Sequence, residues 1–196
     1  MTRMTKHKVF LLLLFSGAGF AFLAPATATA DPLRMCTNCH GPDGLGGDAN
    51  TPIIAGMADV VQEDALFAYK DGDRTCTIGP IMCKMSQKLT EDQVTELAAH
   101  FAAKSFSPAN EDFDPALAEK GKAINARDCA ICHGADEPGD PESGILHGQR
   151  KGYLRIALQQ YAAGERKQMP IMEKKTTALS ADDIEALVNF YASFRL

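Results

Sequence analysis

The chain has 196 residues, 45% of them hydrophobic and 23% charged, with a formal net charge of −5; these are the values of a folded protein and exclude wholesale disorder or a collagen-like repeat. Residues 1–30 hold Arg3, Lys6 and Lys8 and no acidic residue, so the remaining 166 residues set 17 basic against 25 acidic side chains, a net charge of −8. A phosphate backbone repels a chain of that sign, which argues against general nucleic-acid binding and favours partners with a basic face.

The first element is an address. Three basic residues precede an apolar run from Val9 to Phe22 and then Ala28-Thr29-Ala30, the order of a cleavable secretory signal with the cut before Asp31. The run is interrupted by Ser16, Gly17 and Gly19 and falls short of the roughly 20 residues of a membrane helix, the competing reading. No later segment has the apolar length to span a bilayer. The expected destination is the periplasm, where disulfides persist.

Next comes Cys36-Thr37-Asn38-Cys39-His40, the pattern C-x-x-C-H, and it returns as Cys129-Ala130-Ile131-Cys132-His133. Two thiols at this spacing reach the two vinyl groups of one haem, and the adjacent histidine then meets the iron, so the motif reads as c-type haem attachment. Cys36, Cys39, Cys129 and Cys132 are the expected thioether residues, and His40 and His133 the expected axial ligands. A four-cysteine zinc site or a disulfide within each pair competes, but neither calls for a histidine after both pairs.

Each motif opens a copy of one repeated unit. Leu66-Phe67-Ala68-Tyr69, Gly72-Asp73-Arg74, Pro80-Ile81-Met82 and Leu89-Thr90-Glu91-Asp92 are answered by Leu158-Gln159-Gln160-Tyr161, Gly164-Glu165-Arg166, Pro170-Ile171-Met172 and Leu179-Ser180-Ala181-Asp182. Histidine to methionine is 42 positions in the first copy and 39 in the second. Met82 competes with Met85, and Met172 with Met169, for the sixth iron position. The repeat selects Met82 and Met172, which stand at the same distance from their leucine counterparts, in what reads as a loop.

Each copy ends in a helix. Thr90 with Gln93, and Ser180 with Asp183, form capping pairs. Val94, Leu97, Ala98 and Phe101, and then Ile184, Leu187, Val188 and Tyr191, recur at i, i+3, i+4, i+7 and mark one buried face on each. Between the copies Ser105 to Asp114 lacks apolar periodicity and reads as a linker. The second copy opens with a helix capped by Asp114 with Pro115 in its first turn, and Gly121 within it leaves room for another helix to cross. Nothing alternates as a strand, so the class is all-α: a signal over 1–30, one domain over 31–107 and a second over 108–196.

This order of motifs resembles the diheme class I cytochromes c of the cytochrome c4 type. Within them Met172-Glu173-Lys174-Lys175, Phe190-Tyr191-Ala192-Ser193 and Phe113-Asp114-Pro115-Ala116-Leu117-Ala118 are similar to the cytochrome subunit of flavocytochrome c sulfide dehydrogenases. The resemblance implies two covalently bound haem c groups in two domains about a pseudo-twofold axis, taking electrons from an FAD-containing, sulfide-oxidising flavoprotein subunit or exchanging them with other redox proteins. It also implies a carrier and not an enzyme by itself. Gly41 to Gly47 follows the haem histidine and no strand precedes it, so it is no flavin fingerprint. The competing readings are a free carrier donating to a terminal oxidase, and a catalytic diheme enzyme acting as a peroxidase or thiosulfate dehydrogenase.

Three features depart from a plain duplication. The position eight residues before Cys36 is Ala28, inside the predicted signal, so the first opening helix runs only from Asp31 to about Cys39, and a partner surface stands as its replacement. Pro52 is placed to accept the ring proton of His40 through its carbonyl, with Gly144 as counterpart in the second copy. Cys76 and Cys83 bracket the first ligand loop without equivalents, and in an oxidising compartment they form a disulfide; a thiol replacing Met82 on the iron, or binding copper, is the alternative. Arg74 and Arg166 stand at matched positions as partners for haem propionates or as solvated side chains. His100 and His147 read as ordinary surface or satisfied histidines, and Lys174 and Lys175 as a small docking spot.

Overall fold

Side-chain N-caps at Asp31, Thr90, Asp114 and Ser180 each open a helix of nine to 14 residues. The computed structural model describes residues 31–76 and 80–196; the predicted signal over 1–30 lies outside the described residues. Among these the elements are α1 (Pro32–His40), α2 (Asp59–Asp71), α3 (Ile81–Ser86), α4 (Glu91–Ala102), α5 (Pro115–Asp128), α6 (Ala130–His133), α7 (Lys151–Ala162), α8 (Pro170–Thr176) and α9 (Ala181–Ala192), with a 3-10 turn at Pro141–Ser143. The class is all-α, as expected. Its one extended pairing among the described residues is a single antiparallel bridge between Arg74 and Arg166.

The caps are those read from the sequence. Thr90 and Gln93 bond reciprocally at the start of α4, Ser180 and Asp183 do the same for α9, and the Asp114 carboxylate accepts from the Ala116 and Leu117 N–H groups. Each such cap is worth about 1 kcal/mol. The two Pro-Ile-Met segments differ from the predicted loops, because both lie on short helices, α3 and α8. Pro170 is at the first turn of α8, where its missing N–H is not needed and its fixed φ suits the helix.

Helices α2, α3 and α4 pack together in the first half, and α7, α8 and α9 repeat that arrangement in the second. The predicted apolar faces form the two cores. Leu89, Val94, Leu97 and Phe101 are buried in one, with Leu33, Met35 and Leu66 against them. Ile184, Leu187, Val188 and Tyr191 are buried in the other, with Ile124 and Leu154. Each fully buried side chain of this size contributes about 1.5–3 kcal/mol. A matched hydrogen bond ties a loop to the last turn of each terminal helix: Gly56 N–H to Phe101 O at 3.0 Å, and Gly148 N–H to Tyr191 O at 2.8 Å.

The halves part company at their opening helices. In the second, α5 lies along α9 so closely that a Cβ on Gly121 would fall on the Ala186 carbonyl and on Phe190, which is the crossing its glycine foretold. In the first, α1 is nine residues long and touches α4 only slightly. By the register of the repeat, Glu96 and His100 stand on α4 where α9 has Ala186 and Phe190. The face left bare by the shorter helix is therefore polar. The linker is not helical, yet it is fastened: Ala109 N–H donates to Gly148 O at 2.8 Å and Asp114 N–H to Asn189 Oδ1 at 2.9 Å.

Candidate haem sites

Helix α1 carries Cys36, Cys39 and His40, and the break between α5 and α6 carries Cys129, with Cys132 and His133 on α6. All four motif thiols are free, while Cys76 and Cys83 are joined as a disulfide. No three His, Cys, Asp or Glu side chains among the described residues gather as a metal site, so the two C-x-x-C pairs do not converge as a zinc site would. Burial pushes the Cys36 and Cys129 thiols up, which keeps them protonated.

His40 is 6% exposed, and its Nδ1–H donates to the Pro52 carbonyl at 3.2 Å. Burial lowers its pKa against the opposing pull of that hydrogen bond and of Asp48. The ring is thus biased to the neutral form and oriented through Nδ1. The second copy differs from expectation. His133 Nδ1 is buried without a hydrogen-bond partner, and the Gly144 carbonyl does not take its proton. The loop from His133 to Gly144 is one residue shorter than that from His40 to Pro52, and it folds back on its own motif. Gly139 N–H donates to His133 O, Asp140 N–H to Cys132 O, and the buried Asn125 amide donates to Gly134 O and Ala135 O.

Met82 on α3 and Met172 on α8 are both half-buried, whereas Met169 is 64% exposed. Cys83, next to Met82, is tied to Cys76 on the other side of the ligand loop. The second loop has an ion pair in its place. Lys175 Nζ meets Asp128 Oδ1 at 2.7 Å and so links the Met172 helix to the residue before Cys129. Lys175, one of the two lysines of the predicted docking spot, is ion-paired there with its side chain 41% exposed.

Arg74 is buried and Arg166 half-buried, so neither is a fully solvated side chain. Arg74 is 6% exposed, its Nε has no hydrogen-bond partner, and neither guanidinium forms an ion pair with a carboxylate among the described residues. Each stacks on the tyrosine of its own repeat, Arg74 at 4.3 Å from the Tyr69 centroid and Arg166 at 4.4 Å from Tyr161. Tyr153 meets both. Its burial favours the neutral phenol, but Arg166 and Arg74 outweigh that and hold its pKa down at about 7. Val61 stands at its position in the first copy, so the repeat offered no sign of it.

Two arginines withdrawn from water, with Tyr153 between them and no carboxylate in an ion pair with either among the described residues, leave room for added negative charge. The carboxylates of two haems would supply it, and the free thiols and neutral imidazoles suit covalent attachment and ligation, so the residues present fit the group. Other polar contacts were not foreseen. Gln149 and Arg150 bind the first half's loop from the second, and Tyr191 Oη donates to Asn125 Oδ1 at 2.8 Å. The signal available for Gln149 was its place in the repeat opposite the apolar Met57. His147, read as an ordinary histidine, is 1% exposed among the rings of Phe190, Tyr191 and Phe194.

The family model described as cytochrome c matches residues 118–194. Cytochrome c4 of Pseudomonas aeruginosa is 28% identical over 201 residues, spanning 95% of this chain and 98% of its own. Cytochrome c-554(548) of Halomonas halodenitrificans is 30% identical over 79 residues, 40% of this chain and 95% of its own. Among solved structures, the cytochrome c4 of Acidithiobacillus ferrooxidans superposes with a TM-score of 0.72 at 28% identity, over 82% of this chain and 99% of that one.

Proposed function

The chain belongs to the cytochrome c family, with the tandem two-domain fold of the cytochromes c4, and from that premise we propose that it is a periplasmic two-haem subunit accepting electrons from a sulfide-oxidising flavoprotein. In this reading the domains meet at 107/108, each holding one haem c. Haem c, when bound, supplies a one-electron iron couple whose potential a histidine and methionine pair raises. The chain's own residues would hold it and close it off. Cys36 and Cys39, then Cys129 and Cys132, would form the thioethers. His40 with Met82, and His133 with Met172, would ligate the two irons and leave no position for a small substrate. Arg74 and Arg166 would offset the charge of the haem carboxylates.

The observation that carries this reading is the repetition of the histidine and methionine pair in both halves, because saturated sites suit carriage and not catalysis. The flavoprotein partner rests on the stretches around Met172, Phe190 and Phe113 and on the net charge of −8 over residues 31–196, which favours a basic docking face. A free carrier donating to a terminal oxidase is the second reading, favoured by the end-to-end match with a cytochrome c4. Purification from the native cell tests both. The expected result is a flavin-containing chain that co-purifies, with the red methionine charge-transfer band from both ferric sites. A haem-loaded monomer without that partner favours the free carrier. Rapid cyanide binding at a site lacking the methionine band overturns carriage.

A further inference from the structure

We propose that Gln149, a residue of the second domain, is a positioning residue for the axial histidine of the first. Gln149 is fully buried. Its Nε2 donates to Ile53 O at 2.8 Å and its Oε1 accepts from Ile53 N–H at 2.8 Å, a two-point amide clamp reaching across 96 positions of sequence. Ile53 follows Pro52, whose carbonyl receives the His40 Nδ1 proton. Holding Ile53 by both its N–H and its C=O fixes the orientation of the neighbouring peptide, and that orientation sets where the Pro52 oxygen points.

The residues beside Gln149 hold the rest of the same loop. Arg150 Nη2 donates to Leu45 O at 2.9 Å and to Gly46 O at 3.3 Å. Gly46 N–H in turn donates to His40 O at 2.8 Å, and Tyr153 N–H donates to Ala49 O at 3.2 Å. Gly152 lies so close to Ala49 and Asn50 that a side chain there would collide with the loop. The first domain's proximal loop is therefore seated on the segment from Gln149 to Tyr153.

The relation is not reciprocal. Met57 stands at the repeat position of Gln149 and has no amide to offer; its carbonyl accepts from Gln62 within its own domain. His133 Nδ1, which a reciprocal clamp would serve, has no partner. A histidine whose Nδ1 proton is held by an acceptor is a stronger donor to its metal and stabilises the oxidised ion. The second domain thus lowers the potential of the first site while its own site lacks the device. The polar clamp also fits two lobes that must keep one relative orientation, since a buried amide is satisfied in one geometry only.

The inference rests on His40 being a haem ligand, and the test separates the two claims. Gln149→Met, which installs the residue the first copy carries, is compared with the wild type in the full haem-loaded chain by optical redox titration, with the two sites assigned through Met82→His and Met172→His. The expected result is a rise in the first potential that changes its oxidised-to-reduced ratio roughly fivefold, about 40 mV, with the second unmoved and both methionine bands kept. Unchanged potentials, or equal shifts at both sites, overturn the inference. A wild-type chain that attaches no haem overturns the functional reading instead. Should the variant fail to fold, proton exchange in the wild type decides: the His40 Nδ1 proton exchanging at least about ten times more slowly than that of His133 supports the clamp, and equal or reversed rates overturn it.

Discussion

The two halves share the positions that the predicted chemistry demands and differ in how they hold them. The first secures its methionine loop with the Cys76 to Cys83 disulfide and its histidine with the Pro52 carbonyl, and its opening helix is only nine residues long. The second has a 14-residue α5 laid along α9, an ion pair from Lys175 to Asp128, and a Tyr191 to Asn125 hydrogen bond beneath its motif. A duplicated fold keeps the positions proposed as ligands while the supports around them drift, because several different contacts can restrain the same loop. The first half leans on covalent and cross-domain restraints, and the second on its own packing.

The largest way to break this comparison is at Gly121. Gly121→Val puts a branched side chain onto the Ala186 backbone, which cannot move aside as a flexible side chain would. A loss of about 3 kcal/mol or more in the second domain is expected. Denaturant unfolding followed at each haem band should show the second domain opening early while the first holds; equal loss in both would mean that the halves unfold as one unit.

Removing the first half's staple comes next. Replacing Cys76 and Cys83 together by alanine is expected to cost about 2.5 kcal/mol, the loop entropy of a seven-residue separation. The methionine band of the first site should weaken first on warming, with that of the second unaffected. An unchanged melting profile at both sites would show that the disulfide restrains nothing the fold does not already hold.

Tyr191→Phe makes the second core copy the first, where Phe101 occupies that position. It leaves the buried Asn125 carbonyl oxygen without its donor, an expected cost of about 1–2 kcal/mol in thermal unfolding. The smallest effect belongs to Lys175 and Asp128. Hydrogen bonds from Arg127 and Lys175 hold the Asp128 carboxyl below its ordinary range. Its contribution is therefore present above the unfolded carboxylate pKa and is lost as pH falls through the lower folded value. Acid titration of the second methionine band should show this step, and Lys175→Met or high salt should reduce it.

Much of this was legible along the chain. The C-x-x-C-H motifs, the repeat, the capping pairs at Thr90 and Ser180 and the apolar faces of α4 and α9 are local patterns. Each depends on residues within one or two helical turns, so spacing alone reveals them. Gly121 was legible for the same reason, since a bare position on a helix announces a close neighbour without saying which. The loops around the two Pro-Ile-Met segments were misread because short helices of six or seven residues carry too little periodicity to stand out.

What the sequence determined by itself is the chemistry on offer: two C-x-x-C-H motifs, a histidine and a methionine at matched positions in each copy, and an all-α frame written twice. Only the tertiary structure decided which charges are buried and which loop is held by which domain. Arg74 and Arg166 meet because two segments far apart in the chain pair as a bridge, and Gln149 reaches Ile53 across 96 positions of sequence. Contacts of that kind bring together residues whose neighbours in sequence say nothing of one another. Burial then turns an ordinary amide into a clamp, since a polar group removed from water must be satisfied by the one partner within reach.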